Sequence, residues 1–316
     1  MNTTQTRRQL LVTAGIAAAG AFAGCTSPDA APAGSQSADA SDRDSVVIGS
    51  KRFVENVLLA ELSRALLGRT VDDGDLVTDD IGARTTVESF LYTQYGGLDH
   101  YWEYTGTLKR FHYANDAPES LEAIRKLAAE DGLVVLEPAG FNNTYELVTA
   151  PSFAEEHGLE TMSDLADALN SGLDVRLSLG DEFVHREDGW LGFGTAYGLT
   201  GSRTSDLADD AVVVEAGDTY DQLGTTIDIA MGFSTDPELA ELVTLTDDRS
   251  FFPTYNPVPI LSQRAAARLP DAETRFATLT DHLDSVSVMR DLIARVTVAG
   301  ESPQAVAESV LAAVES

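Results

Sequence analysis

The side chains in this sequence best suited to chemistry are four aromatics, Tyr104, Tyr145, Phe233 and Tyr255, each at the end of a predicted strand or in the loop beside it. Their surroundings are short and polar: Glu103-Tyr104-Thr105-Gly106-Thr107, Phe141-Asn142-Asn143-Thr144-Tyr145, Gly232-Phe233-Ser234-Thr235-Asp236 and Phe251-Phe252-Pro253-Thr254-Tyr255. Any one of them can be an ordinary core or rim residue. As a set beside polar loops they are less easily read that way, because open α/β sheets place ligands at the carboxyl ends of their strands. Catalysis has less to draw on. The histidines His100, His112, His157, His185 and His282 include no metal-spaced pair and none adjoins a serine nucleophile motif, so neither an enzyme nor a cofactor is expected. Acid pairs such as Asp247-Asp248 read as solvated surface.

The elements that must position these residues follow from periodicity. Val46-Val47-Ile48 reads as a strand running into Gly49-Ser50, and Val54, Val57, Leu58, Leu62, Ala65 and Leu66 then recur at helical spacing, with Gly68 placed to end the helix. The alternation continues with strands at 76–81, 98–104 and 133–136 and helices at 85–94 and after Pro118. A second series has strands at 145–149, 175–179, 212–215 and 227–231 with helices at 163–169 and 189–199. The tail is helical, with Ser302-Pro303 as N-cap and first residue of its last helix. Such alternation predicts an α/β protein with a largely parallel sheet and helices on both faces. About 270 ordered residues favour two domains. An internal echo supports that division, since Asp99 precedes Tyr104 by the same five residues that separate Asp228 from Phe233.

Composition excludes further classes. There are 51 acidic against 21 basic residues, a net charge of −30, and lysine occurs only at Lys51, Lys109 and Lys126. With 43% hydrophobic residues the chain has enough apolar side chains for cores, so this is not the composition of a disordered protein. It is that of a surface kept soluble in concentrated salt. Nucleic-acid binding is not expected without a basic patch. The single cysteine, Cys25, rules out disulfides within the chain and thiolate metal sites.

Arg7 and Arg8 precede the apolar run Leu10 to Ala23, which is too short and too rich in Ala and Gly for a stable membrane span. Residues 1–24 therefore read as a signal peptide with a twin-arginine motif, and Phe22-Ala23-Gly24-Cys25 as a lipobox that places a lipid on Cys25. Cleavage would carry the net charge to −32, since the removed segment holds two arginines and no acid. Residues 25–45 lack large apolar side chains and read as a flexible tether.

A family resemblance rests on Gly49-Ser50-Lys51-Arg52-Phe53-Val54-Glu55, on Asp99 through Thr107, on Gly140-Phe141-Asn142-Asn143-Thr144-Tyr145, on Glu182-Phe183-Val184-His185-Arg186-Glu187-Asp188-Gly189, and on the segments around Phe233, Asp247 and Tyr255. In order and spacing these resemble the glycine betaine/choline-binding proteins of osmoprotectant ABC importers, the OpuBC/ProX family, over residues 46 to 314. The resemblance implies a two-lobed periplasmic-binding-protein fold of type II, with two crossovers between lobes and ligand in the interlobe cleft. Lobe 1 is then expected at 46–141 plus 255–316 and lobe 2 at 142–254. It further implies an aromatic box of Tyr104, Tyr145, Phe233 and Tyr255, and polar ligand contacts from Lys51, Thr107, Asn143 and Arg186. Phe233 departs from the family's tyrosine, which removes a hydroxyl but keeps the ring face.

A trimethylammonium group has no N–H to donate, so ring faces must select it, while a carboxylate at the ligand's other end needs donors such as Lys51, Thr107 and Arg186. The expected function is that of an extracytoplasmic solute-binding lipoprotein, monomeric, tethered at the outer face of the membrane, with an ABC permease and its ATPase as partners. Glycine betaine leads among ligands, followed by choline and related betaines. The alternatives are a sensor or chemotaxis partner on the same fold, or a binder of a different small osmolyte.

Overall fold

In the computed structural model the described residues are 45–71 and 75–314. The expected signal peptide, Cys25 and the expected tether as far as residue 44 lie outside them. Among the described residues no helix is long and apolar enough to cross a membrane.

The β-branched run at the start forms β1 (Val46–Lys51), buried at all six positions. It leads into α1 (Val54–Leu67), which buries Leu58, Leu59, Leu62 and Leu66. β2 (Leu76–Arg84) then precedes α2 (Thr86–Gln94), whose start is fixed reciprocally: Glu88 N–H donates to the Thr85 hydroxyl and Thr85 N–H to the Glu88 carboxylate. β3 (His100–Tyr104) and β4 (Leu133–Val135) follow. The chain then leaves for a second sheet made of β5 (Tyr145–Thr149), β6 (Leu177–Gly180), β7 (Val212–Val214), β8 (Ile229–Phe233) and β9 (Val243–Leu245), and returns as β10 (Pro257–Ser262).

The strand orders are β2-β1-β3-β10-β4 and β7-β6-β8-β5-β9. The expected largely parallel sheet is thus corrected to two mixed sheets. β10 runs antiparallel to β3 and β4 because it arrives from the far sheet, and β5 runs antiparallel to β8 and β9 for the same reason. Each crossing of the chain reverses its direction.

Alternate residues of the first sheet feed two cores. Val46, Ile48, Trp102 and Leu261 pack on one face with α1 and the C-terminal helices, while Val47, Tyr101, Val258 and Ile260 pack on the other. The second sheet has its own core around Trp190, Phe193, Leu177 and Met231. The two C-terminal helices (Val286–Thr297 and Pro303–Val314) close the first core, and Ser302 caps the latter by accepting from Ala305 N–H.

The internal echo has a structural counterpart. Asp99 accepts from Val47 N–H at 3.0 Å and Asp228 from Arg176 N–H at 2.8 Å, so in each sheet an aspartate at the foot of a parallel strand ties in the strand beside it. Five residues on, those strands end in Tyr104 and Phe233.

Candidate ligand-binding cleft

Register brings the aromatics together. Tyr145 pairs directly with Phe233 across β5 and β8, at the end of the second sheet that faces the first. Pro257 pairs with Tyr104, which sets Tyr255, two residues earlier, beside the end of β3. Tyr145 lies 5.5 Å from Phe233 and 5.2 Å from Tyr255, ring centre to ring centre. The missing link is Phe53, which stacks on Phe233 at 5.2 Å and lies 6.0 Å from Tyr104. All these rings line one cavity of about 700 Å³, part of it open to solvent, together with Lys51, Thr107, Asn143 and Arg186. Every residue expected at the site from sequence lines this cavity; Phe53, Thr86, Glu182, Phe183 and Met231 line it as well and were not expected.

The two cations are already held by carboxylates. Lys51, only 4% exposed, pairs with the fully buried Glu103, and its Nζ lies 5.1 Å from the centre of the Tyr104 ring. Glu103 also accepts from Tyr104 N–H at 2.9 Å and lies 3.1 Å from His112 Nε2, which a π-helical turn over Leu108–His112 brings within reach. Burial alone would raise the Glu103 carboxyl, but Lys51 and His112 take it down to about 2. Arg186 makes a two-pronged pair with Asp188, Nε to Oδ1 at 2.7 Å and Nη2 to Oδ2 at 2.6 Å, and Asp188 also accepts from the Tyr255 hydroxyl at 3.0 Å. Burial pushes the phenols of Tyr104, Tyr145 and Tyr255 up, so they stay neutral; Tyr104 donates to Glu55 and Tyr255 to Asp188.

Glu55 is the third buried carboxylate at the site. It accepts from the Tyr104 hydroxyl at 2.7 Å, from Asn143 Nδ2 at 3.0 Å and from the Thr235 hydroxyl at 2.7 Å. Burial raises it to about 7 despite those three donors, and Asp236 nearby adds to the rise. Its signal in the sequence is a charge on the helical face that carries Leu59, Leu62 and Leu66, all buried.

The lobes meet around the cavity. The Thr86 N–H of α2 donates to Glu182 of the second lobe at 2.7 Å, Arg52 reaches Glu215 at 3.3 Å, and the Arg186 guanidinium lies 4.5 Å from the centre of the Phe111 ring. The two crossing segments are stitched by asparagines: Tyr255 N–H donates to Asn142 Oδ1 at 2.7 Å, Asn143 N–H to the Tyr255 carbonyl at 3.0 Å, and Asn256 Nδ2 to the Phe141 carbonyl at 2.8 Å. Among the described residues no cluster of three or more His, Cys, Asp or Glu could hold a metal.

This geometry, a ring-lined cleft between two mixed sheets joined by two crossings, agrees with what sequence comparison finds. Residues 44–313 match the family model described as the substrate binding domain of the ABC-type glycine betaine transport system. The chain belongs to this family, known as OpuAC. A glycine-betaine-binding protein of Pseudomonas aeruginosa is 32% identical over 295 residues, covering 88% of this chain and 91% of that one. The substrate-binding protein CosB of a chemotactic signal transduction system in Halobacterium salinarum is 28% identical over 278 residues, covering 83% and 82%. The structure of apo YehZ from Escherichia coli superimposes with a TM-score of 0.57 at 26% identity, over 85% of this chain and 98% of that one. Membership in OpuAC makes the chain an extracytoplasmic substrate-binding protein of ABC importers rather than an enzyme, with the two-lobed fold of periplasmic binding proteins.

Proposed function

We propose that this member of the OpuAC family captures glycine betaine, or choline or a related betaine, between its lobes and presents it to an ABC permease and ATPase. The reading is carried by the convergence of Tyr104, Tyr145, Phe233 and Tyr255 on a single cavity that also holds Lys51, Thr107, Asn143 and Arg186. In this reading the rings enclose the trimethylammonium group. Lys51, Thr107, Asn143 and Arg186 address the other end. Their pairing with Glu103 and Asp188 fixes the two cations in place and leaves donors over, since an ammonium has three N–H groups and a guanidinium five. The moving bodies are lobe 1 (46–141 with 255–316) and lobe 2 (142–254).

The proposal extends to the rest of the chain: export through the twin-arginine motif, a lipid on Cys25 that tethers a monomer at the outer face of the membrane, and an acidic surface suited to concentrated salt. A tether raises the receptor's effective concentration at its importer. A second reading, a sensor handing ligand to a chemotaxis receptor, is favoured by the similarity to CosB, a substrate-binding protein of a chemotactic system from Halobacterium salinarum.

Calorimetry in molar salt with glycine betaine, choline, carnitine and proline betaine tests the ligand class. Binding of at least one of them, lost on Tyr145→Ala, is expected; no binding at millimolar concentration overturns the assignment. Co-purification of the permease separates the importer reading from the chemotactic one.

A further inference from the structure

The site holds three buried carboxylates and only two of them have a cation. Glu103 has Lys51 and Asp188 has Arg186. Glu55, 3% exposed, has none among the described residues; it has three neutral donors, from Tyr104, Asn143 and Thr235. An isolated buried carboxylate is costly and is ordinarily paired or coordinated to an ion. Glu55 does not line the cavity but sits one hydrogen bond behind it, at the hydroxyl end of a wall ring.

We infer that Glu55 is the counter-charge for the ligand's cation, acting through Tyr104 and from behind the aromatic wall. The inference rests on the quaternary-ammonium reading and deepens it. A cation about 5 Å above the Tyr104 ring would stand roughly 7 Å from the carboxylate, with the phenol that donates to it between them, close enough for a substantial attraction at the low dielectric of a buried site. The phenol that donates to a carboxylate also becomes richer in electron density, which strengthens the ring face toward a cation. The same carboxylate binds Tyr104 on β3, Asn143 in a crossing segment and Thr235 in the second lobe, so the wall ring is oriented only when the lobes are together.

The charged groups that face Glu55 are accounted for. Asp236, next to Thr235, opposes its ionisation, but is itself occupied by the Tyr220 hydroxyl and the Phe233 N–H. Lys51 lines the same cavity with its ammonium 5.1 Å from the centre of the Tyr104 ring, and its charge is neutralised by Glu103. Burial takes the Glu55 carboxyl up to about 7, so it is partly protonated around neutral pH. A bound cation favours the ionised form, and binding expels that proton. Affinity for a cation therefore rises as pH increases through 7. The effect is larger for choline, which carries only the positive charge, than for glycine betaine, whose carboxylate is a second charge of opposite sign.

The test is calorimetry at pH 7 in buffers of different ionisation heat, with choline and glycine betaine, on the wild type and Glu55→Gln. The glutamine amide can donate to Thr235, whose hydroxyl then turns to Asn143 Oδ1, 2.9 Å away, so the variant keeps the network and loses the charge. Expected are proton release by the wild type and none by E55Q, with choline affinity down by roughly ten-fold and glycine betaine affinity by less. Tyr104→Phe, which keeps the ring and removes the link, should weaken choline binding, and the double variant should lose no more than the worse single one. Wild-type binding without proton release, unchanged choline affinity in E55Q, or additive losses in the cycle each overturn the role of Glu55 while leaving the ligand class standing. Wild type that binds no quaternary amine overturns both.

Discussion

Glu182 of the second lobe lies 2.7 Å from the Thr86 N–H at the first turn of α2, so a carboxylate from one lobe caps a helix of the other. The helix N-terminus carries unsatisfied N–H groups and partial positive charge, which makes it a seat for an acid. Glu182→Gln should therefore destabilise the closed form by about 0.5 to 1 kcal/mol and shorten ligand residence two- to five-fold. Stopped-flow release of a bound ligand reads the effect; an unchanged off-rate would mean that the contact forms without contributing to closure.

Lys51 and Glu103 make a second prediction. Lys51→Ala removes donors from a carboxylated ligand and also takes from Glu103 its lysine partner, leaving it with His112 and the Tyr104 N–H. Glycine betaine affinity should fall about ten-fold more than choline affinity, as expected for losing a hydrogen bond to a charged group. Competition binding with the two ligands measures the ratio, and equal losses would remove Lys51 from any role at the carboxylate.

Gly106 faces Tyr255 so closely that an added Cβ would stand 2.5 Å from the ring. The neighbour is a ring held by Asp188 and cannot give easily. Gly106→Ala should tilt Tyr255 out of the cavity wall, cost about 1 to 3 kcal/mol of stability from overpacking, and weaken quaternary-amine binding about ten-fold or more. Urea unfolding and calorimetry on the same preparation check the two effects together.

Glu146 provides a dependence on pH that no ligand is needed to see. Burial raises its carboxyl to about 7, with Asp247 adding to the rise and Arg290 opposing it. In the folded protein the proton stays on until about pH 7, whereas the unfolded chain releases it near 4.5, so this group makes stability fall as pH rises across that window. Glu146→Gln should be more stable than wild type by about 1 to 2 kcal/mol at pH 8 and equal to it below pH 4.5. Denaturant melts at fixed high salt give the comparison.

The sequence made the site more legible than the sheet. Tyr104, Tyr145, Phe233 and Tyr255 announce themselves because strand ends beside polar loops are where open α/β sheets hold ligands, and all four line the cavity. β10 was hidden by Pro257 and Pro259, which argue against a strand; the carbonyls of both accept bonds from Ala139 and Leu136, and the side of the strand without N–H donors faces that irregular segment. Without β10 the antiparallel return, and hence the mixed sheet, cannot be read. Glu55 and Phe53 were missed for a different reason. Each lies in or beside a helix that has its own local logic, and what makes them notable, a hydrogen bond to Thr235 180 residues away and a ring stacked across the cleft, exists only once the chain has crossed and come back.

The asparagine stitching of the two crossing segments has a consequence for how the molecule is read by others. Asn143 and Tyr255 belong at once to those segments and to the cavity wall. Whatever presses on the wall is therefore transmitted to the two stretches of backbone that, among the described residues, carry the chain from one sheet to the other and back. A partner that touches the outside of both halves need not recognise any chemical group of the cargo. If it reads the relative setting of the two halves instead, selectivity is settled inside the receptor before the importer is reached.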